Sequence, residues 1–407
     1  MKIISIIPAR GNSKSIPLKN LSKLNQKPLI YYSIKCLKKL NFKNTILFSL
    51  FFALSFNLRP VSIYIPLMLT FFIFLDNLIA GSHFKKNLRY FITVYVLSFL
   101  IIILIQPLLW TNTLNNFLEI ISTFANFERW DHQVFYTGEF YKSYYLPNHY
   151  FFVMFFSTTP TLISLMGLLG FLLIFFRLVK RLFKIDQGKK LNEIWRGENE
   201  KFILFIFFAL ILPIFLFLLL NSVLYNGWRH FYFLYPLFLI QLIFLIKFLI
   251  NKFRNSKFKR FMIFFLIIMI FNNIYALIIM HPYQNSYFNF FFKKGANKYF
   301  EIDYWGLANK SALEKLLQNS SEKDIFYIGV ASFTNLNLSK NMLNDKDKKR
   351  VNIVGQEYDK ANFIFTNFYY EVDVKYDDKY QIPKNFKKIF SIKKGGIVIN
   401  EVYQKLK

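Results

Sequence analysis

Apolar residues in this chain are bunched into blocks rather than spaced at helix or strand period. Most blocks run for about 20 residues, the length that carries a helix across a bilayer. Tyr90–Trp110, Tyr150–Phe176, Phe202–Leu220, Tyr232–Ile250 and Phe261–Met280 are full-length. Ahead of them Ile46–Phe56 is short, Asn57-Leu58-Arg59-Pro60 interrupts it, and Val61–Ala80 resumes. That pair predicts a helical hairpin with its Arg-Pro turn near the far face. The pattern as a whole predicts a polytopic α-helical membrane protein of about seven segments.

From His281 the pattern changes. Charges of both signs return, and β-rich runs (Ile325–Val330, Asn362–Phe365, Ile397–Tyr403) alternate with an amphipathic stretch at Ser311–Gln318. An extracytoplasmic α/β domain is expected over residues 281–407. Before Asn44 the vocabulary is that of a soluble protein, with an apolar strand at Ile3–Pro8 running into Ala-Arg-Gly-Asn-Ser-Lys. The expected organisation is a cytoplasmic α/β fragment at 1–44, a transmembrane domain at 45–280 and the external domain.

Composition sharpens this. The chain is 54% hydrophobic and 20% aromatic, with a formal charge of +29. That charge would ordinarily suggest nucleic acid. Most of it, however, sits between apolar blocks, where positive charge fixes orientation, so a nucleic-acid partner is rejected. Lys85, Lys86 and Arg89 crowd one connection, Arg177, Lys180, Arg181, Lys184, Lys189, Lys190 and Arg196 the next, and Lys252, Arg254, Lys257, Lys259 and Arg260 the last. These loops are expected in the cytoplasm, with the first 44 residues, which carry ten Lys/Arg and no Asp/Glu. No signal peptide is expected, because the first apolar block starts near Ile46. The expected location is the inner (cytoplasmic) membrane, multi-pass, with membrane lipids as partners. Cys36 is the sole cysteine, which rules out an intrachain disulfide and a Cys-based zinc site.

The N-terminal strand and its Gly-, Ser-, Arg- and Lys-rich turn suit phosphate, since backbone amides form a nest and cations neutralise the oxygens. Residues 1–44 resemble the amino terminus of acylneuraminate cytidylyltransferases. The resemblance implies that Arg10, Gly11, Ser13 and Lys14 face a nucleotide triphosphate, with Lys19 and Asn20 nearby. Ser15 and Leu18 depart from that family's usual Gly and Arg. Its acidic residues are missing as well, because no Asp or Glu occurs before Asp76.

Three polar and aromatic groups fall on the expected outer side: Phe127–Tyr150 (FERWDHQVFYTGEFYKSYYLPNHY), Tyr225–Pro236 (YNGWRHFYFLYP), and HPYQNSYFN followed by FEIDYWGLANK. Interfacial anchoring explains most of the aromatics. Arg229 and His230 stand between two apolar spans, where a cation is costly without a partner. A lipid-linked phosphate would supply one, with Arg59 converging on it; snorkelling to bulk headgroups is the alternative. The histidine spacing matches no metal-ligand motif, so no metal site is assigned.

From Thr45 onward the chain resembles the later part of a polyprenol-phosphate-dependent GT-C membrane glycosyltransferase, through the Arg-Pro hairpin, LPNHY with Ser-Thr-Thr-Pro, NGWRHFYFLYP, HPYQNSYFN and EIDYWG. The resemblance implies sugar transfer from a polyprenyl-phosphate donor to an envelope glycan or lipid acceptor. An external carboxylate would act as base. In that family the principal carboxylate lies in a first external loop that this chain lacks. Asp131, Glu139 and Asp303 are the catalytic candidates here, with Glu128 and Glu301 beside them. No cofactor is called for, although phosphate chemistry would admit a divalent cation. Three readings stand: a GT-C remnant, inactive if the missing loop is essential; nucleotidyl transfer from CTP; and a non-catalytic chimera joined near Asn44.

Overall fold

The computed structural model describes residues 42–80, 84–125, 131–183, 198–253 and 255–406, with the short antiparallel pair Lys23–Leu24 and Lys27–Pro28. It is mostly helical. In chain order the helices are α1 (Phe42–Leu58), α2 (Tyr64–Ala80), α3 (Phe84–Ile105) and α4 (Thr113–Ala125). The hairpin β1 (Gln133–Tyr136) and β2 (Glu139–Lys142) follows, then α5 (Tyr150–Thr158), α6 (Thr161–Leu182), α7 (Glu198–Leu220), α8 (Tyr235–Phe253) and α9 (Ser256–Met280). The C-terminal part holds α10 (Leu307–Gln318), β3 (Phe326–Val330), α11 (Leu336–Asn341), α12 (Asp345–Arg350), β4 (Val351–Gly355), β5 (Phe363–Thr366), β6 (Phe386–Lys394) and β7 (Ile397–Lys405).

Among the described residues, five helices are long and apolar enough to cross a membrane: Leu88–Ile105, Thr161–Arg181, Glu200–Leu220, Arg229–Phe253 and Ser256–Met280. Seven segments were expected. The other two, Asn44–Leu58 and Pro60–Leu75, are apolar but shorter, because Arg59 turns extended before Pro60 and ends the first helix. Only 11% of the Ser256–Met280 span is buried, so Phe264, Phe271, Ile274 and Ile278 face outward. So large an apolar surface calls for lipid rather than water.

The block Tyr150–Phe176, expected as one span, is broken at Thr159–Pro160 into α5 and α6. Pro160 brings no amide to the helical ladder and holds Thr159 in extended backbone (φ −96, ψ 140). The span therefore starts at Thr161, leaving α5 as a separate, largely buried helix of about two and a half turns.

The chain divides into two compact units. The first comprises the described residues that fall within 42–125, 171–220 and 233–241. Its helix α1 packs chiefly on α3, through Phe52, Ala53, Phe56 and Ile102. Ser49 Oγ donates to the Val94 carbonyl at 3.2 Å, and Phe56 stacks on Phe117 of α4. Helix α4 stands between the apolar block that ends at Trp110 and the outer group that begins at Phe127, where no helix was expected. Arg181 closes α6 onto α7 through Glu200 at 2.6 Å.

The second unit comprises the described residues that fall within 131–170, 221–232 and 242–406. Its main sheet has the order β4-β3-β5-β7-β6, parallel across β4-β3-β5 and antiparallel beyond. Three of its strands and α10 lie where the alternation placed them; β4, β6 and the β1–β2 hairpin were not foreseen. Ala312, Leu313 and Leu316 of α10 cover one face against Ile328, Phe365 and Val402. Ala331, Ala361, Ile364 and Phe386 cluster separately. At the β6–β7 turn a Cβ on Gly395 (φ +55) would come within 2.6 Å of Met280 Sδ, so only glycine admits this approach of the turn to the end of α9.

Candidate functional site

The polar motifs that are scattered along the sequence meet in the second unit. Asn289, after α9, donates its side-chain amide to the carbonyls of Phe156 (2.6 Å) and Thr159 (3.0 Å), and its backbone amide to Ser157 O (2.8 Å). These are the carbonyls that the Pro160 break releases, so HPYQNSYFN closes the end of α5. Trp228 Nε1 donates to Thr158 Oγ1 at 2.7 Å, and the Gly227 amide donates to Tyr150 Oη at 3.0 Å. Tyr369, just past β5, donates to Asn226 Oδ1 at 2.8 Å. Asn226 and Gly227 both take positive φ (55 and 71), a tight turn that presents Trp228 and Arg229.

Arg229 sits in an aromatic box. Its guanidinium carbon lies 4.6 Å from the Tyr225 ring centre, 5.5 Å from Trp305 and 5.8 Å from Tyr304. Among the described residues no hydrogen bond or ion pair engages the guanidinium. The rings hold its position by cation–π attraction while leaving the N–H groups uncommitted.

Glu301, three residues before Tyr304, is buried and accepts from the Phe135 amide of β1 at 3.3 Å. Burial pushes its carboxyl up to about 8, opposed by the backbone amides of Phe135 and Asn226 and by the charge of Arg229. Near neutral pH it is therefore mostly protonated, and Arg229 keeps its charge uncompensated.

Asp303 has a different setting. It is fully buried, with Oδ1 accepting from Asn285 Nδ2 (3.1 Å) and Oδ2 from the Ala308 amide at the start of α10 (2.8 Å). Its backbone carbonyl takes Asn367 Nδ2 at 2.7 Å. These bonds suit a brace that sets the direction of Tyr304 and Trp305. Asp131 and Glu139 are exposed beside the β1–β2 hairpin, where Glu139 accepts from Tyr141 Oη at 2.9 Å.

His230 stands beside Arg229, with its ring 4.7 Å from that of Tyr225. Arg59 belongs to the first unit, exposed at the turn between α1 and α2. Arg10, Gly11, Ser13, Lys14, Lys19, Asn20 and Glu128 lie outside the described residues. Among the described residues no group of three His, Cys, Asp or Glu side chains gathers as a metal site. Sequence reasoning missed Tyr369 and Asn367, which sit in a tail loop with no local motif.

The described residues form a mostly helical chain with five helices long and apolar enough to cross a membrane, a C-terminal sheet region, and, in the second unit, an arginine boxed by aromatic rings and a buried carboxyl whose pKa is raised. A cytidylyltransferase family model matches residues 4–48, reaching past Asn44 into α1. Comparison with curated proteins and with solved structures found no match.

Proposed function

We propose that residues 45–407 act on a polyprenyl-phosphate-linked sugar at the outer face of the inner membrane, transferring it to an envelope glycan or lipid. The supporting observation is Arg229: a guanidinium boxed by Tyr225, Tyr304 and Trp305, with no hydrogen bond or ion pair among the described residues. Its fork of N–H donors matches a phosphate bidentately, and headgroup depth is where a lipid phosphate waits. His230 flanks the same anion. The exposed carboxylates Asp131 and Glu139 serve as bases for an acceptor hydroxyl, whereas Asp303 braces the Tyr304–Trp305 segment. The purified full chain should bind polyprenyl phosphate, and Arg229→Ala should weaken binding by at least about tenfold. Equal affinity in the variant would remove the assignment.

A second reading is favoured by the match over residues 4–48. There the N-terminal segment would bind CTP through Arg10, Gly11, Ser13 and Lys14, with Lys19 and Asn20 nearby. Incubation with CTP, magnesium and a nonulosonic acid tests it; pyrophosphate release supports turnover, and its absence rejects it. A chain that shows neither activity is the non-catalytic chimera.

A further inference from the structure

The sheet domain contains a cleft that none of the chemistry above uses. It opens at the carboxyl ends of the parallel strands, lined by Ser332, Phe333, Thr334, Asn337, Gln356 and Tyr380, with a volume of about 250 Å³. Strand β3 is the switch point of this sheet, because the chain leaves it to form β4 on one side and then β5 on the other. In open parallel sheets the crevice beyond the strand ends at such a point is where ligands bind.

The lining decides the ligand class. Its one cation, Lys379, is already engaged by the Glu371 carboxylate, which also takes the Tyr380 hydroxyl. No net positive charge is left for phosphate or a nucleotide. What remains are neutral groups that both donate and accept. Thr334 Oγ1 is spent inside the protein, on Ser332 (3.2 Å), Asn309 Nδ2 (3.1 Å) and Asn367 Oδ1 (3.3 Å), whereas Gln356 spends only its Nε2, on the Val330 carbonyl at 3.3 Å, and keeps its Oε1 as an acceptor. The Asn337 side chain is exposed and makes no hydrogen bond among the described residues. Phe333 adds an exposed aromatic edge. Amide donors and acceptors beside an apolar ring complement a sugar, whose hydroxyls donate and accept while its C–H face is apolar.

We infer that this cleft binds a neutral saccharide unit. The site stands apart from the Arg229 box and does not depend on the transfer reading. It is nevertheless tied to it by hydrogen bonds: Thr334 Oγ1 donates to Asn367 Oδ1 (3.3 Å), and Asn367 Nδ2 donates to Asp303 O (2.7 Å), one residue before Tyr304.

The test uses the purified full chain in a detergent without a sugar headgroup. Saturation-transfer NMR is run with glucose, galactose, N-acetylglucosamine and their disaccharides. At least one is expected to receive saturation, and N337A combined with Q356A should weaken it by about tenfold or more with circular dichroism unchanged. R229A should leave the saccharide signal intact. The inference is overturned if none of these sugars binds, if the double variant binds as well as the parent, or if R229A abolishes the signal, which would place the sugar at the arginine instead.

Discussion

Asn289 holds the carbonyl of Thr159, 130 positions earlier in the chain, through a 3.0 Å hydrogen bond from its side-chain amide. One residue thereby satisfies the backbone groups that Pro160 strips of their helical partners. Asn289→Ala should leave the Phe156 carbonyl unpaired and the Thr159 carbonyl with only the Ser164 hydroxyl at 3.4 Å, and cost about 1–3 kcal/mol. Asn289→Asp should be worse, since it turns an acceptor toward acceptors. Thermal unfolding of the purified chain measures both, and an unchanged midpoint in Asn289→Ala would contradict the role.

The aromatic box predicts graded effects on lipid-phosphate binding. Arg229→Lys keeps the charge but loses the bidentate fork, so affinity should fall between parent and Arg229→Ala. Trp305→Ala should reduce binding severalfold, by about 1 kcal/mol, through the lost cation–π restraint. Surface plasmon resonance on polyprenyl-phosphate vesicles reads the series.

Glu301 gives a pH signature whose sign is fixed. Its carboxyl stands at about 8 in the folded chain against an ordinary 4.5. Between those values the folded state holds a proton that the unfolded state has released, so stability falls as pH rises through that window and levels off above it. The full difference is about 5 kcal/mol. Glu301→Gln should flatten that decline in denaturant titrations at stepped pH. Above about pH 8 the ionised carboxylate also competes for Arg229, so binding of lipid phosphate should weaken there in the parent and persist in the variant.

Gly306 (φ +64) joins the Asp303–Trp305 segment to α10, and a Cβ there would lie 2.8 Å from Asn309 Nδ2 and 3.2 Å from Thr334 Cβ. Gly306→Ala adds left-handed strain to that crowding and should destabilise by about 1–3 kcal/mol. Protease resistance of the C-terminal region, compared with the parent, checks it.

Orientation is open to labelling. In a Cys36→Ser background, Tyr376→Cys in the sheet domain should react with an impermeant maleimide on intact cells, and Lys257→Cys in the basic first turn of α9 only after permeabilisation. Both positions are exposed, so burial does not confound the result. The reverse pattern would invert the proposed topology.

How much of this was legible in the sequence varies by element. The strands at Phe326–Val330, Phe363–Thr366 and Ile397–Lys405 announce themselves by β-rich composition. Strand Phe386–Lys394 does not, because four of its nine residues are lysine and only Phe386 is fully buried, with Phe390, Ser391 and Ile392 half-buried beside its partner β7. The Thr159–Pro160 break hid inside an unbroken apolar block, where hydropathy outvoted a single proline. Of the site, Arg229 was visible as a cation between apolar spans, and EIDYWG as a motif. The division of labour between Glu301 and Asp303, two residues apart with nearly the same chemistry, was not.

What the sequence by itself determined is where lipid must be and where charge may not be, since apolar length and lysine placement act locally along the chain. Only the tertiary structure decided which polar groups meet. The fates of Glu301, neutralised by burial, and Asp303, bound to Asn285 and the start of α10, depend on partners up to 166 positions away. Desolvation and hydrogen bonding are set by those neighbours in space, and no local pattern encodes them.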